Sequence, residues 1–196
     1  VGSEMCIRDS LGPDTIKFTL LDDNNAMLKG YNNGELDFIE NLPVDEIPTY
    51  LASGELEIGD YLGTYYVCFN TEDEVFSDPN IRKAFSLVID RNYIVENVSQ
   101  AGEVPADGYV PNGVNDAAGA GSDDFRTVGG SYYSISDEDY EANCEEARQL
   151  LADAGYPNGE GFPTVEYLYN TADNHKKIGE ALQNMWQTEP VSYTHL

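Results

Sequence analysis

Residues 77–91, Ser-Asp-Pro-Asn-Ile-Arg-Lys-Ala-Phe-Ser-Leu-Val-Ile-Asp-Arg, constrain this chain more than any other stretch. Asp78 carries an acceptor suited to the free N–H groups of a helix start. Pro79 suits the first helical position because it has no N–H to leave unpaired. Ile81, Ala84, Phe85 and Val88 recur at helical spacing as one apolar stripe. The pattern predicts a helix over 79–89. Asp90 then ends it and caps a second helix over 91–98 carrying Ile94, Val95 and Val98. An apolar stripe of this kind demands a core to bury it, so the chain is a folded globular one.

The 196 residues suffice for one domain or two small ones, with 41% apolar and 23% charged residues, ordinary for a globular protein. The charge is not ordinary: 36 acidic side chains face 10 basic ones, a formal net charge of -26. That field repels nucleic acid and anionic membrane surfaces, which excludes both as partners, and it gives a strongly solvated surface. No run approaches the ~20 apolar residues of a membrane-spanning helix, and no signal peptide is visible. Of the three cysteines, Cys68 falls in a predicted strand and Cys144 on the apolar side of a predicted helix. Each reads as a small buried hydrophobe. A Cys68–Cys144 disulfide is the alternative, and the spacing of a zinc site is lacking.

Along the chain, strands are predicted at 16–21, 36–39, 56–58, 61–70 and 164–169, and helical segments at 26–31 and 44–52. The first helix stops at Asn32-Asn33-Gly34, the second at Gly54, and Pro48 belongs only in a first turn. This alternation reads as an α/β lobe. Glycine, proline, aspartate and serine dominate 101–133, a long irregular connection that carries function or packs as an arm. Ser136 with Asp139 resembles a capping box, with aspartate in place of the usual Glu or Gln. Tyr140, Cys144, Ala147, Leu151 and Ala154 mark one helical face that Gly155 and Pro157 terminate. A last amphipathic helix over 173–187 turns Ile178, Ala181, Leu182 and Met185 inward.

Catalytic signatures are lacking. Asp22-Asp23, Asp123-Asp124 and Asp137-Glu138-Asp139 read as solvated faces, and none follows the calcium-loop pattern. There is no Gly-x-Ser-x-Gly elbow and no phosphate loop, and Gly119-Ala120-Gly121 is not a dinucleotide fingerprint. His175 opens the last helix, in Tyr169-Asn170-Thr171-Ala172-Asp173-Asn174-His175-Lys176-Lys177, where its plain reading is a solvated first-turn side chain. On the 61–70 strand Tyr66, Cys68 and Asn70 share one face, and the more apolar Tyr65, Val67 and Phe69 share the face suited to a core.

The run Phe69-Asn70-Thr71, then Asp78-Pro79, Arg82-Lys83-Ala84-Phe85-Ser86 and Ile89-Asp90-Arg91, resembles the extracellular solute-binding proteins, family 5, which serve ABC importers. Gly34-Glu35-Leu36-Asp37 matches a turn-into-strand element of that family, and the 169–177 run resembles its oligopeptide-binding branch. The resemblance covers nearly all of 11–190. It implies an α/β fold, a fragment of a two-lobed type II periplasmic-binding-protein clamshell. Residues 11–62 would belong to the first lobe and 63–190 to the second, with the crossing near Tyr61-Leu62-Gly63-Thr64. The family segment that holds the ligand's amine would fall outside such a fragment.

The same resemblance implies a function. The parent would bind oligopeptides between its lobes and deliver them to the membrane subunits of an ABC importer, as a monomer, without catalysis and without a cofactor or metal. It would work outside the cytoplasm, in the periplasm or as a cell-surface lipoprotein, with the signal segment absent from this fragment. Glu40, Asn41, Tyr61, Tyr66, Cys68 and His175 would face the ligand, with His175 near a peptide C-terminus and Lys176 or Lys177 as further donors. The alternatives are another ligand within the family (a dipeptide, an oligosaccharide or a metal chelate) or a carboxylate-based glycosidase, which needs two inward-facing acids at a catalytic separation.

Residues 1–10, Val-Gly-Ser-Glu-Met-Cys-Ile-Arg-Asp-Ser, and 191–196, Val-Ser-Tyr-Thr-His-Leu, do not continue the neighbouring pattern and resemble translated sequencing-adapter read-through. Cys6 and His195 therefore carry no functional argument. Mass spectrometry of the protein from its source is expected to recover no peptide spanning Ser10–Leu11 or Pro190–Val191. Recovery of either would show those ends to be native.

Overall fold

The computed structural model describes residues 13–189, so both adapter-like ends lie outside the described residues. The described residues fall into two compact units, one up to Pro43 and one from Val44 onward.

The first unit is built on α1, Asn24–Asn32. The Asp23 carboxylate accepts from the Ala26 N–H at 2.6 Å and fixes its start. The chain then folds back, with the Glu35 and Leu36 N–H groups donating to the Gly30 carbonyl at 2.9 and 3.2 Å. Gly34 makes the reversal at φ +73°, and Leu36 covers the buried Gly30, where a Cβ would stand 3.0 Å from its Cδ1. Ile16, Phe18 and Leu20, the alternate residues of a predicted strand, are exposed.

The second unit opens with a 3₁₀ turn, Val44–Glu46, and α2, Ile47–Ser53, which Gly54 closes in the left-handed region. Then come α3, Pro79–Leu87; α4, Arg91–Tyr93; α5, Phe125–Gly129; α6, Tyr140–Asp153; and α7, Asp173–Thr188. The opening motif behaves as its sequence dictates. Asp78 accepts from the Asn80 N–H at 2.8 Å and Asp90 from the Tyr93 N–H at 2.8 Å. Ile81, Ala84, Phe85 and Val88 are all buried. The second helix differs from expectation: after α4 it widens into a π-helical stretch, Ile94–Ser99, which the Gln100 N–H closes on the Val95 carbonyl at 3.1 Å.

The core lies where α3, α6 and α7 meet. Cys144, Ala147 and Leu151 of α6 and Ile178, Leu182 and Trp186 of α7 pack with α3 in one buried cluster, which Phe162 joins. Phe85 is the hub, with ring centroids of Phe76, Trp186, Phe162 and Phe69 at 5.2, 5.3, 5.4 and 6.3 Å. Carbonyls at the end of α3 have no partner within the helix. Trp186 Nε1 donates to Phe85 O at 3.0 Å, Arg91 Nη1 to Ser86 O at 3.1 Å, and the Tyr140 hydroxyl to Val88 O at 3.0 Å. Arg91 also lies 4.2 Å over the Tyr133 ring.

Three expectations need correction. No β-ladder forms among the described residues, only an isolated antiparallel bridge between Asn115 and Asp124. The segments predicted as strands are extended but unpaired. Alternation records which side chains are covered, whereas a ladder also needs a second backbone ~4.8 Å away in register. Val67 and Phe69, like Val165 and Tyr167, do pack on the helical core, so the alternation itself holds. Second, no reciprocal capping box forms. Ser136 Oγ accepts from the Glu138 N–H at 3.3 Å, but the Asp139 carboxylate, one methylene shorter than glutamate, takes the Ser134 hydroxyl at 2.7 Å instead. Third, Cys144 is the buried thiol expected but Cys68 is exposed, and both are free.

Replacing Phe85 by alanine is expected to cost about 3–5 kcal/mol, the range for a buried aromatic. Trp186→Phe keeps a ring but strands the Phe85 carbonyl, at about 1–3 kcal/mol. Urea unfolding checks both. A Trp186→Phe loss below about 0.5 kcal/mol would remove the carbonyl from the account.

Candidate functional site

The 61–70 segment sets two different faces within the second unit. On one, Val67 and Phe69 are fastened to the core. On the other, Tyr66 is 56% exposed and Cys68 is exposed beside it. Tyr61, 91% exposed, precedes them on a tight turn in which the Gly63 N–H donates to the Tyr61 carbonyl at 3.0 Å.

Tyr66 meets Tyr109 edge-to-face at 5.1 Å. Interaction with the Tyr109 phenol foremost, and with Cys68, raises the Tyr66 phenol above its ordinary pKa. Tyr109, itself 60% exposed, comes from the 101–133 connection, which packs as an arm with its own polar frame. Asp107 accepts from Arg126 Nη2 at 2.6 Å and from the Ser131 hydroxyl at 2.5 Å. Asp124 accepts from the Gly113 N–H at 2.6 Å and the Arg126 N–H at 2.8 Å. The Arg126 guanidinium lies over Gly108, where a Cβ would stand 2.3 Å from Nη1, so a side chain at 108 would push the guanidinium aside. The Ser131 hydroxyl foremost, then Arg126, holds the Asp107 carboxyl below the usual carboxylate range. The Gly113 and Arg126 amides do the same for Asp124.

His175 lies in the first turn of α7, and its Nδ1 is 2.9 Å from the Tyr65 hydroxyl. Tyr65 therefore departs from the role its face suggested. At the free end of the core-facing row it is 52% exposed and reaches His175 rather than the core. Among the described residues no hydrogen bond, ion pair or ring contact joins His175 to Tyr66 or Cys68. The two lysines beside it are engaged elsewhere: Lys177 Nζ pairs with Asp45 at 2.6 Å, and Lys176 Nζ stands 3.9 Å from Glu180. Glu40 and Asn41 belong to the first unit, where both are exposed.

Tyr65 and Tyr109 are thus the aromatic residues that sequence reasoning passed over. A tyrosine at the polar end of an otherwise apolar row, Tyr65-Val67-Phe69, was the available signal for the first. For Tyr109 it was an aromatic set beside glycine inside a long connection, Gly108-Tyr109. Among the described residues no grouping of three or more His, Cys, Asp or Glu side chains could hold a metal ion. None of the described helices is long and apolar enough to cross a membrane.

This arrangement of helices and extended segments is that of the type II periplasmic binding proteins. It matches Haemophilus influenzae OppA, solved in complex with the peptide RPPGFSPFR, at a TM-score of 0.72 and 28% identity, covering 88% of this chain and 33% of that one. The chain belongs to the bacterial extracellular solute-binding proteins, family 5, whose middle-region profile matches residues 10–188. It is 32% identical over 184 residues to the oligopeptide-binding protein OppA of Bacillus subtilis (strain 168), covering 92% of this chain and 32% of that protein. It is 32% identical over 177 residues to the dipeptide-binding protein DppE of the same organism, covering 90% and 31%. The chain spans about a third of the length of the curated relatives it matches.

The arm's pH dependence follows from its two depressed carboxyls. Their stabilising contribution is full above the unfolded aspartate pKa of ~3.9 and is lost as pH falls through the lower folded values. Near-UV circular dichroism of the tyrosines, followed from about pH 7 down to about pH 3, is expected to show a change below about pH 4. In Asp107→Asn the acid-induced change should shrink, because Asp107 no longer titrates. An identical acid limb in the variant would contradict the role given to Asp107.

Proposed function

We propose that the protein carrying this chain is the extracytoplasmic substrate-binding component of an ABC importer, that it binds oligopeptides between two lobes, and that it releases them unaltered to the transporter's membrane subunits. Residues 11–62 and 63–190 would belong to the two lobes, and the binding protein would act as a monomer. One observation carries the reading: exposed tyrosines on a backbone whose opposite face is locked into a core, in a chain of family 5 with a relative named for oligopeptides.

Tyr66, Tyr109 and Tyr61 offer large amphipathic surfaces that accept varied side chains, with hydroxyls for the peptide backbone. Cys68 adds a small, soft contact between them. His175 stands in the first turn of α7, where the helix dipole favours negative charge, which suits a peptide C-terminal carboxylate. Glu40 and Asn41 would contribute polar contacts from the first lobe. Lobe closure around the ligand would then present a distinct shape to the importer. A dipeptide ligand is the second reading, favoured by the similarity to DppE.

Calorimetry of the full-length protein against a random oligopeptide pool is expected to give binding, with the peptides recovered intact. Tight retention of a dipeptide, sugar or metal chelate without oligopeptide binding would overturn the ligand assignment. His175→Ala is expected to weaken free-acid peptides by about 1–2 kcal/mol, the scale of one charge-assisted hydrogen bond, and amidated peptides by less. Equal affinities of wild type and variant for free-acid peptides of several lengths would remove His175 from the site.

A further inference from the structure

Beyond the residues proposed to touch the ligand, Tyr65 forms a relay to His175, with Tyr167 beside it. The Tyr65 hydroxyl lies 2.9 Å from His175 Nδ1, and the two rings lean together at 5.3 Å between centroids. Burial first, and the neighbouring Tyr167 phenol second, keep the Tyr65 phenol protonated well above ordinary pH. Tyr167 is fixed in turn, stacked on Tyr169 at 5.9 Å and edge-on to Trp186 at 6.3 Å.

Gly179 gives independent support for the same arrangement. It is buried in the interior of α7, four residues after His175, where glycine is a weaker helix former than alanine. A Cβ there would meet Tyr167 Cε1 at 3.2 Å and Tyr169 Cδ1 at 3.7 Å. The helix gives up propensity at the position where the Tyr167 ring crosses it.

A phenol O–H is a good donor and its oxygen a poor acceptor, whereas an imidazole nitrogen is the stronger base. The favoured order therefore runs from the Tyr65 O–H to His175 Nδ1. We propose that Tyr65, backed by Tyr167, is the positioning residue for His175: it fixes the ring and holds the neutral imidazole with its proton on Nε2, so that Nε2–H faces outward as a donor to a ligand carboxylate. The opposite tautomer would present a lone pair to that carboxylate and repel it. The role toward ligand rests on the reading of His175 given above; the tautomer itself does not.

The test separates the two. In the full-length protein, ¹⁵N NMR at about pH 8, above the ordinary histidine pKa of ~6.5, reports which nitrogen of ligand-free His175 carries the proton. The expected wild-type pattern is a pyridine-like Nδ1 and a pyrrole-like Nε2, and Tyr65→Phe, which keeps the ring, should mix the two forms. A pyrrole-like Nδ1 in the wild type, or an unchanged pattern in the variant, overturns the relay whatever the ligand. Affinity for free-acid peptides should fall about 3–10-fold in Tyr65→Phe, the scale of one hydrogen bond, and not at all when Tyr65→Phe is added to His175→Ala. A full additional loss in that double variant would mean that Tyr65 acts independently of His175 and would overturn the positioning role. A wild-type tautomer as expected, with His175→Ala leaving affinity unchanged, would uphold the relay and reject the ligand reading.

Discussion

Everything in the second unit is arranged around the burial of one ring. Phe85 meets aromatic side chains from the extended segment at 69, from Phe76, from Phe162 and from Trp186 near the end of α7. These residues are far apart in sequence, so the ring ties the extended layer to the helical layer. Its backbone carbonyl is used as well, by the Trp186 indole. A substitution at Phe85 therefore removes both area and the geometry that aims Trp186 at a buried carbonyl that would otherwise be unpaired.

The consequence for function lies in the 61–70 segment. Because Val67 and Phe69 are drawn into that core, the alternation of side chains forces Tyr66 and Cys68 outward. The arm then brings Tyr109 onto Tyr66 and holds itself with Asp107, Asp124 and Arg126, a compact charged frame in a chain with few cations to spend. The same core fixes Trp186, against which Tyr167 rests, and Tyr65 beside it reaches His175. Packing thus sets both groups of exposed side chains, although none of those side chains is itself fully buried.

Much of this was legible in the sequence, for reasons that are local. Asp78, Pro79 and Asp90 act through backbone groups two or three residues away, so their spacing alone fixes α3 and the start of α4. The faces of α6 and α7 follow from helical period, with Trp186 and Gly179 as buried additions to the predicted set. What was not legible depends on distant partners. Whether 61–70 joins a ladder depends on a neighbouring backbone, and whether Ile16, Phe18 and Leu20 are covered depends on what lies above them. The widening of the helix at 94–99 has no signature in its residues. Of the candidate site, the outward face of Tyr66 and Cys68 could be read from period two together with the family resemblance. The contacts with Tyr109 and Tyr65 could not, because they join segments separated by dozens of residues.

One face of 61–70 is locked to the core while the other is exposed, where the proposed function places the ligand, and the two free thiols report on both faces directly. Cys68 is exposed on the open face and Cys144 is buried in the core, where burial also raises its thiol pKa. Alkylation of the full-length protein, read by peptide mass spectrometry with and without saturating oligopeptide, should label Cys68 readily in the free protein and slowly when peptide is bound. Cys144 should stay unlabelled throughout. Labelling of Cys68 at the same rate in both states, or labelling of Cys144 in the folded protein, would contradict that assignment of faces.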